Sequence, residues 1–321
     1  MAVRSMEKMM TTTTGYMDYW GLRGPLGRGL LALTGIIALV AVVTQTSTPV
    51  RAAEGLESGW QQLSPNVHLF TEDGSNTVVV VGRGEALVMD TYTEAQAANL
   101  KKQIKEKFDV PVRYVVFSHA HADHLRGTAV FGDQATYIAQ QRQKERLDFL
   151  IPFEPSIHQP TRFFDKSLTL EVGGVSVILE DYGFNHGTGV TVMRLPEAKA
   201  VVIPDIVYPK RLLWYGLNDY SPRGILATLK SINATEYEIV VPTHGPTFGR
   251  AEVTEYIGYM TDLIDQVSAV ISKNLDDKGP DETLAIALKD VDLTRYENWG
   301  NYKEWRDGNV EGTFQSLYVG W

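Results

Sequence analysis

The chain has 321 residues, 44% of them hydrophobic, which is enough to bury a large core. Its formal net charge of −9 argues against a nucleic-acid partner, which calls for a basic face. There is no cysteine, so disulfides and thiolate-bound metals are excluded.

Residues 1–53 stand apart from the rest. An apolar run covers residues 30–43, preceded by Arg23 and Arg28 and followed by a Thr/Ser-rich stretch. A membrane-spanning helix needs about 20 apolar residues, so a run this short predicts the hydrophobic centre of a signal peptide. Val50-Arg51-Ala52 places small residues ahead of Ala53, where cleavage is expected, and Met17 is an alternative start. The other reading is an uncleaved N-terminal anchor, which would be the chain's only membrane contact. In both cases residues 54–321 are expected as one domain in the periplasm or outside the cell.

Within that domain, residues 66–70 and 77–81 read as paired strands about the turn Asp73-Gly74-Ser75-Asn76. Gly82-Arg83-Gly84 turns into a third strand that ends at Asp90. Thr93 and Gln96 form a capping box, and Ala97, Leu100, Ile104 and Phe108 recur on one face of the helix behind it. Residues 112–117 are an apolar, β-branched strand. Residues 140–150 predict a charged-faced helix, and residues 151–164, with three prolines among Phe153, Ile157 and Phe163, an apolar loop walling a pocket. Two hairpins follow, 167–170 with 175–179 and 190–195 with 200–203. A long connection through Trp214 and Tyr220 then leads to a helix opened by Pro222 and a strand at 239–241. Ile257, Met260, Leu263, Ile264, Val267 and Ile271 mark the face of a long amphipathic helix, and the aromatic-rich tail is expected to pack on the domain.

Three imidazoles and a carboxylate fall within six residues, at His119, His121, Asp123 and His124, directly after the strand at 112–117. The chain holds only 7 histidines, so the concentration is pronounced. Such nitrogen and oxygen donors suit borderline divalent metals, zinc above all. In extended backbone His119 and His121 point to one side. Asp123 and His124, at the turn into the next helix, address a second point nearby, so the spacing suits two adjacent metals. His68, inside a strand with no partner motif, reads as a packed histidine, and His158 as an ordinary loop residue.

His119-Ala120-His121-Ala122-Asp123-His124 resembles the H-x-H-x-D-H signature of the metallo-β-lactamase-fold hydrolases. The other ligands of that family find counterparts in Asn185-His186-Gly187-Thr188-Gly189, in Asp205 at a strand end, and in Thr243-His244-Gly245 after another strand. The resemblance implies a mixed α/β fold, a four-layer αββα sandwich with metals at one edge of the two sheets. It implies His119, His121 and His186 around one metal and Asp123, His124 and His244 around the other, with Asp205 bridging. The implied cofactor is two zinc ions, with iron or manganese as alternatives, sharing a hydroxide that attacks a small-molecule substrate. Catalytic roles then fall to Asp123, to Asp90 as an acid orienting a ligand or water, and to Tyr208. The offset of Tyr208 from Asp205 matches a tyrosine that hydrogen-bonds the substrate carbonyl in lactone-hydrolysing relatives.

Asp205 stands where the commonest zinc β-lactamases carry a cysteine, and the turn at 73–76 is shorter than their flap. The expected reaction is therefore hydrolysis of a small ester, thioester or lactone, as the Asp bridge of glyoxalase II and the lactonases implies. β-Lactam hydrolysis, a mononuclear-iron sulfur dioxygenase and a non-catalytic metal-binding protein are the competing readings.

Overall fold

Side chains alternate across a strand, and here the residues on both faces are apolar. In the computed structural model, which describes residues 58–320, β1 (Gly59–Ser64), β2 (Val67–Glu72), β3 (Ser75–Gly82) and β4 (Glu85–Met89) form an antiparallel meander. The helix α1 (Glu94–Phe108) crosses over to β5 (Val112–Val116), which pairs parallel with β4. The short α2 (Ala122–Leu125) precedes β6 (Thr136–Gln140), and α3 (Lys144–Leu150) precedes β7 (Arg162–Phe164). Both strands continue the parallel half of a seven-stranded sheet whose order follows the chain.

The second sheet has five strands, β8 (Ser167–Val172), β9 (Val175–Asp181), β10 (Thr191–Leu195), β11 (Ala200–Ile203) and β12 (Ile239–Pro242). The first four pair antiparallel. β12 joins β11 in parallel after the helix α4 (Pro222–Asn233). Two more helices close the chain, α5 (Arg250–Asp290) and α6 (Tyr302–Val319).

In β3, Val78 and Val80 face the second sheet while Val79 faces the α1 side; in β4, Leu87 and Met89 face inward and Ala86 and Val88 outward. The inner residues meet Val177, Leu179, Met193 and Val202 of the second sheet. On its far face, Val192, Val201 and Ile203 pack against Ile225, Leu229, Val253, Met260 and Phe314 of the last three helices. The layers are thus α, β, β, α, as the motif resemblance implied. A fully buried Val or Leu stabilises the fold by about 1.5–3 kcal/mol. A one-residue slip of β3 would exchange its inner and outer sets, so register is strongly specified.

Several local expectations change. β1 was not foreseen, because Gly59-Trp60-Gln61-Gln62-Leu63-Ser64 has no apolar alternation and is only half buried. Gln140 closes β6 instead of opening a helix: its side chain donates to the Asp165 carbonyl beside β7 and accepts from the Arg142 N–H, so helix begins only at Lys144. The stretch 151–164 is not a continuous apolar wall. Ile157 and Phe164 join two different cores, while Phe153 is 72% exposed. The amphipathic helix runs on to Asp290 across a break at Gly279 (φ 75°, ψ 174°) followed by Pro280. The tail packs on the domain through Trp299, Val310 and Phe314. The predicted signal or anchor segment lies outside the described residues, and no described helix is long and apolar enough to cross a membrane.

The parallel pairs set the position of the site. Met89 is level with Val116, and Ile203 with Pro242, so β4, β5, β11 and β12 all deliver their carboxyl ends to one edge. Asp90, His119, Asp205 and His244 lie immediately beyond those ends. Ligand sites of open α/β sheets characteristically sit at such ends.

Candidate metal centre

The edge gathers all seven predicted donors. His119, His121 and His186 form one group, His119, His124 and Asp205 a second, and Asp123, His124 and His244 a third; within each, the ligating atoms lie within 4.8 Å of one another. His119 Nε2 is 2.9 Å from His121 Nδ1, and His124 Nε2 is 3.3 Å from His244 Nε2. Two imidazoles bound tetrahedrally at about 2.05 Å from one zinc would stand about 3.3 Å apart. The nitrogens therefore have the spacing of shared ligation.

Outer partners of His119, His124 and His121 are arranged to leave an inward lone pair on each ring. His119 Nδ1 lies 2.9 Å from Ser118 Oγ, and an Nδ1–H donated there leaves Nε2 free to ligate. The His124 Nδ1–H donates to Asp90 Oδ2 at 3.0 Å, also leaving Nε2. His121 is turned the other way: its Nε2–H donates to Asp219 Oδ2 at 2.7 Å, leaving Nδ1. Ligating histidines are commonly held by carboxylates or hydroxyls in this manner, which fixes tautomer and ring angle.

Asp205 occupies the middle. Its Oδ1 accepts from Thr243 Oγ1 at 2.6 Å and from Tyr208 Oη at 2.9 Å. That anchoring leaves Oδ2 to face the histidines, 2.9 Å from His124 Nε2 and 3.7 Å from His119 Nε2. One oxygen thus addresses both clusters. Burial alone would raise the Asp205 carboxyl, but His124, His244 and His119 outweigh it and hold it well below the ordinary range. Burial likewise pushes His119 well below the usual imidazole value, with the neighbouring imidazoles adding to the fall. His124 is the exception, since Asp205 and Asp90 overcome its burial and raise it well above. Two carboxylates out of water demand a positive charge between them, which a proton or a metal ion can supply.

The backbone is strained where it meets these groups. Asp90 (φ 63°), Tyr92 (φ 59°) and Asp205 (φ 49°) all adopt left-handed conformations. An aspartate tolerates this; a tyrosine does so only when held. Tyr92 is held by its hydroxyl, which shares its proton between the Asn76 and Thr243 carbonyls at 2.8 and 2.9 Å. Asn76 reaches across in turn to the carbonyls of Pro242 and Gly245.

His186 comes from a loop pinned by Asn185, whose Oδ1 accepts from the N–H groups of His186 and Val190 and whose Nδ2 donates to Thr228. Gly189 (φ 125°) closes that loop at a point where a Cβ would stand 2.8 Å from the Gly183 carbonyl. The imidazole stacks on Tyr220 at 4.0 Å between centroids.

Asp90 is fully buried and accepts from the Ser118 N–H and from His124. Asp123 is the most exposed donor, with Oδ2 3.8 Å from His124 Nε2. Tyr208 also has a contact that the sequence did not indicate. Its hydroxyl donates to Asp205 Oδ1 at 2.9 Å, so in this structure it positions the carboxylate. His68 packs among Trp60 and Phe108, and His158 stacks on Tyr137, neither in the cluster.

Asp219 was missed. It holds His121, lies 3.5 Å from His186 Nδ1, and is kept well below the ordinary carboxylate range because hydrogen bonds from these two histidines outweigh its burial. The one available signal was that it is the only acidic residue between Asp205 and Glu236. Asp219→Asn should free the His121 ring to turn and weaken zinc binding about 10–100-fold, as read by competition with a chromogenic chelator. Unchanged affinity would make the contact incidental.

Two sheets between helical layers, with His/Asp groups at their shared edge that could hold metal, define a metal-dependent hydrolase fold. The chain belongs to the metallo-beta-lactamase superfamily, whose profile matches residues 70–244. Among solved structures, the metallo-beta-lactamase from Pontibacter korlensis is similar at 20% identity and a TM-score of 0.54, over 64% of this chain and 99% of that one. A double mutant of the sec-alkyl sulfatase PisA1 is similar at 15% identity and a TM-score of 0.66, over 82% of this chain and 50% of that one. At these identities the likeness is one of fold.

Proposed function

We propose that the chain is an exported, dinuclear zinc hydrolase of small esters, thioesters or lactones. The observation that carries this reading is Asp205 Oδ2, 2.9 and 3.7 Å from the inward nitrogens of His124 and His119. The donor set fits divalent metal in number, spacing and charge. His119, His121 and His186 would hold one ion and Asp123, His124 and His244 the other, with Asp205 shared. When bound, such ions acidify water and polarise an electrophilic oxygen.

The chain's own residues keep that centre in place. Asp90, Ser118 and Asp219 fix the ring orientations, Tyr208 and Thr243 fix Asp205, and Tyr92 and Asn76 tie the two sheets together beneath it. Ser118, just beyond β5, is fully buried, so no substrate reaches its hydroxyl as a nucleophile. An aspartate at 205 and a turn of only two residues between β2 and β3 favour ester-type substrates over β-lactams. Export is supported by the apolar run at 30–43. A second reading, sulfate-ester cleavage, is favoured by the sulfatase-like fold over 82% of the chain.

The test is metal analysis of the full chain, followed by a panel of carboxylic esters, thioesters, lactones, β-lactams and alkyl sulfates. Two zinc ions per chain and chelator-sensitive turnover of an ester-type substrate are the expected results. One iron per chain would point to a dioxygenase, and no metal-dependent turnover on any class to a binding protein.

A further inference from the structure

Four arginines of the domain are half-buried. Arg194 faces Glu180 at 3.8 Å. Arg250 and Arg306 direct their guanidinium groups to backbone carbonyls. Arg211, among the described residues, has no such acceptor, and its Nε is buried without a hydrogen bond. A buried donor left unpaired costs about 1–3 kcal/mol, more when charged. A native fold rarely keeps one without a reason.

Its location supplies the reason. The guanidinium carbon lies 3.8 Å from the Tyr208 ring centroid and 5.6 Å from that of Trp305. Tyr208 in turn donates to Asp205, so Arg211 stands two contacts from the shared carboxylate. Stacking on Tyr208 fixes the plane of the fork and leaves its hydrogen-bonding edge uncommitted. Trp305 also packs on Trp214 at 5.3 Å, and Trp214 is 43% exposed, so apolar surface adjoins the cation. In a chain with a net charge of −9, an unanswered cation beside the centre selects strongly for anions.

We propose that Arg211 binds an oxyanion carried by the substrate, a carboxylate or a sulfate, and thereby determines specificity. This rests on the hydrolase reading above. A planar guanidinium takes either group through two parallel N–H···O bonds. The carbon skeleton of the substrate lies against Trp305 and Trp214, and the bond to be cleaved faces Asp205.

The experiment is calorimetric titration of the zinc-loaded full chain with sodium succinate and, separately, sodium sulfate, at constant ionic strength. Wild type, Arg211→Met and Arg211→Lys are compared. Wild type should bind at least one probe, Arg211→Met should bind it at least tenfold more weakly, and Arg211→Lys should fall between, keeping the charge but losing the fork. Zinc content should not change, and Arg211→Met should not lower Tm, since it removes the unpaired buried donor. Binding of succinate alone assigns a carboxylate, and binding of sulfate alone a sulfate. Equal affinity in all three proteins, or no binding by wild type, overturns the proposal. Should Arg211→Met fail to fold, Arg211→Lys carries the test, with a loss of a few-fold expected and none refuting it. Because binding is read without turnover, failure of the hydrolase reading would show separately, as an inert enzyme that still binds the anion.

Discussion

Asp205→Asn is expected to abolish metal-dependent turnover and to reduce zinc from two ions to one or fewer per chain. An asparagine can keep its carbonyl oxygen toward Thr243 and Tyr208, which donate to Oδ1 at 2.6 and 2.9 Å. That choice points the NH2 group, a pair of donors, at the place where Oδ2 now meets His124 and His119. A donor cannot ligate a cation, and the buried negative charge that answers His124 is lost as well. The loss of zinc affinity should therefore exceed the roughly 10–100-fold cost of removing an outer partner such as Asp219. His158→Ala is the control, because its ring stacks on Tyr137 and pairs with Asp133 away from the cluster. Two retained zinc ions with unimpaired turnover in Asp205→Asn would remove Asp205 from its central role.

The second large effect runs against helix propensity. Gly224 lies in the first turn of α4, where alanine would ordinarily stabilise by about 0.5–1 kcal/mol. Here a Cβ would stand 1.9 Å from the Phe184 carbonyl oxygen and 3.0 Å from its carbon. Backbone cannot swing aside as a side chain can, so Gly224→Ala should destabilise by about 2–3 kcal/mol. In a domain of this size each kcal/mol moves Tm by about 2–4 °C, and a thermal melt should show the midpoint falling accordingly. Phe184 leads directly into Asn185 and His186, so zinc affinity should weaken along with stability. A raised Tm would show that the 183–189 loop yields without cost.

The candidate metal donors at residues 119–124 were legible because they concentrate a rare residue just past an apolar strand, and the resemblance then pointed to His186, Asp205 and His244. The individual strands were legible because segments buried on both faces read as continuous apolar runs, while their assembly into a sandwich followed only from the resemblance of the motif. What escaped shares one physical character: it depends on contacts made through space. Asp219 reaches His121 across nearly a hundred residues, with no local pattern around it. Tyr208 was found by its offset, but the direction of its hydroxyl follows from the neighbouring carboxylate, which only the fold supplies. β1 holds its place by pairing with β2 and by Trp60 packing on Phe70 and Phe108, although its own residues lack the period of a strand. The end of β6 at Gln140 was likewise set by a bond to a carbonyl twenty-five residues on.

The donors are divided between the sheets: His119, His121, Asp123 and His124 follow a strand of the first, while His186, Asp205 and His244 belong to the second. Neither half alone can assemble the centre, so a folding intermediate with undocked sheets offers only weak, scattered chelation. Metal taken up by the finished protein would act as a rivet across the seam, shifting the folding equilibrium toward the closed sandwich by mass action. Starvation for metal would then threaten the survival of the molecule as much as its chemistry.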